Sequence, residues 1–134
     1  MSSMPIIFDF KPEYNLVVSR QVGAIDDEEF LTSYRSLFEG DGFKPSMNLL
    51  VDLRQADSSK RSKEAIQIFA RFFKEWMQKA AEKSSVVVIA PKDVSFGLAR
   101  MYEAYSESDR FDFTVFREMA AALERLGIPK DALK

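Results

Sequence analysis

The stretch that decides the fold comprises residues 49–59, with the sequence LLVDLRQADSS. Its apolar first half is typical of a buried strand over 48–53, and a long amphipathic helix is predicted over 62–82. Acidic and hydroxyl side chains therefore lie between the carboxyl end of a strand and the amino end of a helix. Open α/β sheets bind their ligands at such places, so the stretch indicates both a βα crossover and a candidate site.

The rest of the chain extends this crossover into a complete α/β sheet. Short apolar runs at 5–10 and 16–22, joined by a turn, predict an antiparallel hairpin, and Asp26 with Glu29 is expected to cap the helix that follows. The other predicted elements are helices over 27–39, 94–106 and 117–126 and strands over 86–90 and 113–116. The order ββαβαβαβα predicts one domain over 1–128 with a mixed five-stranded sheet, followed by a tail over 129–134.

Composition excludes several classes of function. The 134 residues include no Cys and no His, which excludes disulfides, thiolate nucleophiles, His-dependent triads and Cys/His zinc sites. Acid–base catalysis would then require Asp, Glu, Lys or Tyr with large pKa shifts, so we expect a protein without enzymatic activity, cofactor or metal ion. The 19 basic and 21 acidic residues are well mixed, without the basic stripe typical of nucleic-acid binding.

The expected location is the cytoplasm. No window of the sequence approaches the roughly 20 consecutive apolar residues of a membrane span. Residues 1–5 lack the basic and apolar regions of a secretory signal.

Three segments carry a resemblance to a known family. The first is VDLR at 51–54 with DSS at 57–59, the second is VIAP at 88–91 with FGLARMY at 96–102, and the third is VFR at 115–117 with AAAL at 120–123. In order and spacing they resemble the SpoIIAA-like branch of the STAS (sulfate-transporter and anti-sigma-factor-antagonist) fold. The second and third segments are more similar to the STAS/SEC14-like relatives. The resemblance implies a SpoIIAA/STAS-like fold and a regulatory, protein-interacting role.

The resemblance also implies a phosphorylation site. In the anti-sigma-factor antagonists, a kinase phosphorylates the Ser of an Asp-Ser-Ser-Gly-Leu-Gly motif and thereby controls partner binding. This role would match Ser58 or Ser59 here, with a kinase or another regulator as protein partner. The chain departs from the motif at once, because residues 60–62 are Lys-Arg-Ser where the family has glycines that let a partner backbone approach closely.

The residues of this segment have two interpretations of their own. One of residues 57–59 caps the 62–82 helix, or the segment binds an anion, which the helix dipole would stabilise by about 0.3–1 kcal/mol per contact. Asp52 is interpreted as anchoring loop amides, and Arg100 either pairs with Glu103 or forms an anion clamp near Asp52 and Ser58. The candidates for phosphorylation or anion binding are Asp52, Asp57, Ser58, Ser59, Lys60, Arg61 and Arg100.

The 62–82 helix carries an apolar arc of about 220°, whereas a helix lying on a sheet needs a stripe somewhat above 100°. Either neighbouring helices bury the excess, or its aromatic residues line a homodimer interface or a groove for a small apolar ligand. The protein would then be a carrier or sensor of that ligand. The candidates are Phe69, Phe72, Phe73, Trp76, Met77 and Tyr102. Gly97 is expected to allow its helix to pack closely on the sheet.

Overall fold

The computed structural model of the protein describes residues 6–44, 46–77, 83–105 and 111–132. The chain forms an α/β fold in the predicted order ββαβαβαβα, which confirms the predicted fold class. Single 3-10 turns at Pro12–Tyr14 and Ser58–Lys60 follow the first and third strands. The strands are β1 (Ile6–Lys11), β2 (Leu16–Ala24), β3 (Asn48–Asp57), β4 (Ser84–Ile89) and β5 (Phe111–Phe116), and the helices are α1 (Asp27–Glu39), α2 (Lys63–Met77), α3 (Asp93–Tyr105) and α4 (Met119–Leu126).

The five strands lie in the sheet in their chain order. β1 pairs with β2 in antiparallel fashion, and every later pair is parallel. Because parallel neighbours are joined by crossovers of one hand, α1, α2 and α3 pack on the same face of the sheet. We call this the inner face, which includes Leu49, Val86 and Val88, and we call the face that α4 covers the outer face, which includes Leu50, Val87 and Ile89.

β3 is longer than predicted. Arg20 of β2 faces Asp52 and Val22 faces Gln55, so β3 holds one extra residue between these two pairs, as in a β-bulge. Pairing with β2 then continues to Asp57, and the predicted end of the strand at residue 53 is wrong. The polar residues Arg54 and Gln55 interrupt the apolar run without ending the strand, because β2 still supplies hydrogen-bond partners. The segment 52–62 runs from the end of the predicted strand to the start of the predicted helix and was expected to be mostly loop. It is instead mostly strand and 3-10 turn.

The helix starts follow local hydrogen bonds. Asp26 accepts a 2.8 Å hydrogen bond from the Glu29 N–H, which confirms the predicted cap of α1. For α2, the prediction that one of residues 57–59 is the cap is wrong. The Ser62 hydroxyl caps this helix by accepting a 3.0 Å bond from the Ala65 N–H. Asp57 instead accepts the Ser59 N–H and caps the 3-10 turn. That turn separates residues 57–59 from the helix. The last predicted residues of α2, 78–82, lie outside the described residues.

Aromatic packing accounts for most of the described part of the wide apolar arc of α2. The Phe38 ring of α1 lies with its centroid 5.0 Å from both Phe73 and Trp76, and Trp76 stacks on Phe43 at 4.7 Å. Phe69, Phe73 and Trp76 are therefore buried, and Phe72 is partly exposed. Gly97, by contrast, is exposed, and a Cβ atom there would meet nothing within 4 Å, so the predicted close packing at this glycine is wrong.

Candidate functional site

An apolar cavity of about 80 Å³ lies on the inner face of the sheet. Strands β3, β4 and β5 form its floor, and helices α1, α2 and α3 form its walls. A water molecule occupies about 10–15 Å³ of such a volume, so the space corresponds to several heavy atoms. The apolar lining consists of Phe30, Leu49, Val51, Leu53, Ile66, Phe69, Val86, Val88, Leu98, Ala99 and Phe113, with the ring of Tyr102.

Small side chains on α3 explain why the space exists. The buried residues of this helix are Ser95, Ala99 and Tyr102, which follow each other at the helical spacing of four and then three residues. Two of the three positions that face the sheet thus carry side chains of only one or two heavy atoms. Ile66 and Phe69 of α2 lie beside the space that these residues leave.

One end of the cavity is polar. The hydroxyl oxygens of Ser58 and Ser95 lie 2.8 Å apart and share a hydrogen bond, and both residues line the cavity. Ser58 opens the 3-10 turn after β3, and Ser95 lies in the first turn of the helix after β4. This serine pair therefore lies beyond the carboxyl ends of two parallel strands, where ligands of open α/β sheets bind. Ser95 is 1% exposed, so the end of the cavity that it forms is largely screened from bulk water.

Arg61 also lines the cavity, but its charge is already balanced. Its side chain is only 7% exposed, and its Nη1 donates to Asp27 at 2.9 Å and its Nη2 to the Ile25 carbonyl at 3.1 Å. The guanidinium lies 3.9 Å above the centroid of the Phe30 ring. Burial works to raise the pKa of Asp27, but hydrogen bonds from Ser62 and Arg61 outweigh it and hold that pKa below its ordinary value. Asp27 thus stays ionised as the counterion of Arg61.

Uncharged polar side chains of β2 and α1 are hydrogen-bonded to one another beside the cavity, and Gln21 and Tyr34 line it. The Tyr34 hydroxyl lies 2.9 Å from the Ser19 hydroxyl and accepts a 3.0 Å bond from the Gln21 amide. Burial raises the pKa of Tyr34, so its hydroxyl stays protonated. Gln21, Tyr34 and Ser95 were not among the sequence candidates. Two signals were available. Ser19 and Gln21 lie two positions apart and so on one face of β2, and Ser95, Ala99 and Tyr102 share one face of α3.

Asp52 lies on the other side of the sheet. It is 2% exposed, and it accepts hydrogen bonds from the Arg54 Nε at 3.0 Å, the Arg54 Nη2 at 2.9 Å and the Arg54 backbone N–H at 3.0 Å. The hydrogen bond to Asp52 raises the pKa of Arg54. Arg20 approaches the same carboxylate at 3.8 Å. Asp52 thus anchors one strand amide and two arginines. This outer-face ion cluster lies on the opposite face of the sheet from the cavity and does not line it.

The other charged candidates do not join the cavity. The exposed residues are Asp57, just before the 3-10 turn, and Ser59 and Lys60 within it. The hydrogen bond from the Ser59 N–H holds the pKa of Asp57 below its ordinary value. Arg100 is 62% exposed and pairs with Glu103 at 3.3 Å, so it does not act as a clamp toward Asp52 and Ser58. The predicted anion-binding group is therefore divided among the cavity, the outer face and the exposed turn.

The aromatic candidates are divided in a similar way. Phe69 and Tyr102 line the cavity, with their ring centroids 5.0 Å apart. Phe72, Phe73 and Trp76 pack against Phe38 farther along α2 and do not line the cavity. The side chain of Met77 lies outside the described residues.

In the described parts of the chain, no group of three or more acidic side chains could hold a metal ion. Among the described helices, none has both the length and the apolar character needed to cross a membrane. The chain matches no protein-family model and no curated protein.

Proposed function

We propose that this protein is a non-enzymatic binding module that senses or carries a small, mainly apolar molecule in the inner-face cavity. The observation that supports the proposal is an apolar cavity beside α2 with polar groups at one end, which is the usual arrangement of small-molecule sites. Protein interiors contain few voids larger than a water molecule. A space of this size among mostly buried side chains is therefore a feature to be explained, and a bound ligand would fill it.

The cavity is placed so that its occupant could affect the surface. Ser58 touches the cavity, while its neighbours Ser59 and Lys60 on the same 3-10 turn are exposed. A ligand that displaces Ser58 would therefore move the surface of the turn. We propose that this surface contacts a protein partner, so that ligand binding regulates the interaction. Membership of the SpoIIAA-like family and a cytoplasmic location belong to the same proposal.

The test compares two substitutions on one helix. Ala99→Leu adds three carbon atoms to a side chain that lines the cavity, whereas Ala104→Leu adds them to an exposed position on α3. Toluene serves as the probe, and binding is followed by changes in the amide NMR spectrum of the ¹⁵N-labelled protein. The wild-type protein and Ala104→Leu are expected to bind toluene at the residues that line the cavity, and Ala99→Leu is expected to lose this binding. Equal binding by both variants, or no binding by the wild type, would contradict the proposal.

A second candidate function is a phosphorylation-controlled interaction at the exposed turn. Ser59 is exposed, and the ammonium groups of Lys92 and Lys60 both act on the neighbouring Asp57, so a phosphate on Ser59 would meet positive charge. Arg61 is already bound to Asp27. Protein purified from its native cells is expected to carry one phosphate within residues 57–62. If Ser58→Ala and Ser59→Ala leave every partner interaction unchanged, this candidate fails.

We also propose a homodimer as the functional assembly, because twofold dimers are the commonest oligomers. Light scattering at high protein concentration is expected to give twice the chain mass of 15.3 kDa. A mass equal to that of one chain would contradict this part of the proposal.

A further inference from the structure

We propose that the cavity selects an uncharged small molecule that carries a hydroxyl group, and that Ser58 and Ser95 bind this hydroxyl. The inference rests on the proposed function, since selection requires that the cavity binds a ligand at all. It goes further by naming the chemical class of the ligand and the residues that recognise it. Three properties of the cavity support it, namely its charge, the hydrogen-bonding capacity of its polar end and its size.

The charge of the lining favours a neutral ligand. Among the described residues that line the cavity, Arg61 is the one that carries a charge, and it donates to both Asp27 and the Ile25 carbonyl. Tyr34 stays protonated because burial raises its pKa. An anionic or cationic ligand would therefore lose its hydration without gaining a free counterion, which is costly in an apolar space.

The serine pair can hold a third hydroxyl. A Ser hydroxyl has one donor and two acceptor positions, and the 2.8 Å bond between Ser58 and Ser95 uses one donor and one acceptor. One hydroxyl proton and three acceptor positions remain for other groups. A ligand hydroxyl can accept from one serine and donate to the other, whereas an ether or ketone oxygen can only accept. The pair therefore suits a hydroxyl better than any other single neutral oxygen group.

The size and shape of the cavity define the rest of the molecule. A volume of about 80 Å³ corresponds to about five to eight heavy atoms when each is given the space of one water molecule. Gln21, Tyr34 and Arg61 also line the cavity, and each is already hydrogen-bonded within the protein. The other walls are apolar, with Ile66 and Phe69 on α2 and Leu98 and Ala99 on α3. These features together describe a phenol or a short-chain or small-ring alcohol.

The experiment uses three probes of similar size. Phenol and toluene both have seven heavy atoms and differ by a hydroxyl in place of a methyl group. Pentanoate also has seven heavy atoms but carries a negative charge. Their dissociation constants are measured by NMR titration for the wild-type protein and for the double variant Ser58→Ala/Ser95→Ala. Ser59→Ala is the matched control, because Ser59 lies on the same turn but is exposed and does not line the cavity.

The expected result is a change in selectivity. In the double variant, phenol binding relative to toluene is expected to fall by about tenfold, because the buried hydroxyl of phenol is left without hydrogen-bond partners. Ser59→Ala is expected to keep the wild-type ratio, and pentanoate is expected to bind at least about tenfold more weakly than phenol. If the double variant does not fold, Ser58→Ala alone is expected to lower the ratio by about threefold.

The outcomes separate the two proposals. If phenol and toluene bind but their ratio is the same in the wild type and the double variant, recognition by the serine pair is wrong and the binding function stands. Pentanoate binding as tight as that of phenol would contradict selection for an uncharged ligand. If neither toluene nor phenol binds the wild-type protein, the proposed function itself fails.

Discussion

On the inner face of the sheet, the polar groups around the cavity form neutral hydrogen-bonded pairs or a balanced ion pair, whereas the outer face holds an ion cluster beside water. Ser58 bonds Ser95 and Tyr34 bonds Gln21 on the inner face. On the outer face, Asp52 is buried but its partner Arg54 is 48% exposed. Water can therefore solvate the outer arginines, which lowers the cost of keeping charge there. This difference is the reason for which we propose the cavity, and not the ion cluster, as the site of an uncharged ligand.

The largest expected effect tests the packing of the inner face. Phe69→Ala is expected to destabilise the protein by about 3–5 kcal/mol, because it removes a buried ring from the cavity wall and enlarges the cavity. Phe72→Ala, the control on the same helix, is expected to cost clearly less because Phe72 is only partly buried. Urea unfolding measures both changes. Equal losses for the two variants would show that the inner face is not packed as described.

A second experiment compares the loss of stability when either partner of the Asp52–Arg54 ion pair on the outer face is removed. Arg54→Ala is expected to cost about 2 kcal/mol, since it leaves the buried Asp52 with Arg20 at 3.8 Å as its remaining charged neighbour. Asp52→Ala is expected to cost less, because both arginines can turn toward water. Arg100→Ala, which breaks an exposed pair with Glu103, is the control and is expected to cost under about 0.5 kcal/mol. A larger loss for Asp52→Ala than for Arg54→Ala would contradict this description of the cluster.

The smallest expected effect concerns pH and the balanced charge of Arg61. The pKa of Asp27 in the folded protein lies below its ordinary value of 3.8, so ionised Asp27 contributes stability above about pH 4. That contribution is lost as the pH falls through the folded pKa. Asp27 is 35% exposed, so we expect a loss below about 1 kcal/mol. Unfolding measured from pH 5 to pH 2 is expected to show a shallower decline for Asp27→Asn than for the wild type, and an equal or steeper decline would contradict the expectation.

Part of the candidate site could be identified from the sequence. Ser58, Arg61, Phe69 and Tyr102 were singled out by motif, charge or helical spacing, and all four line the cavity. Their chemistry could not be predicted, because it depends on partners far along the chain. Arg61 was expected to attract an anion, but Asp27, 34 residues away, already neutralises it. Ser95 was not predicted as a site residue, because its partner Ser58 is 37 residues away in the sequence.

The sequence by itself determined the order and type of the helices and strands, since apolar periodicity and caps such as Asp26 act over a few residues. Tertiary structure decided where the polar residues of the stretch 49–59 lie. Strand pairing with β2 extended β3 through a bulge, placed Asp52 on the outer face and carried Ser58 to the end of the cavity. The cavity also depends on tertiary structure, because it lies where the small residues of α3 meet side chains of β3, β4, β5 and α2. Such a space depends on how helices and strands pack against each other, so no local sequence pattern predicts it.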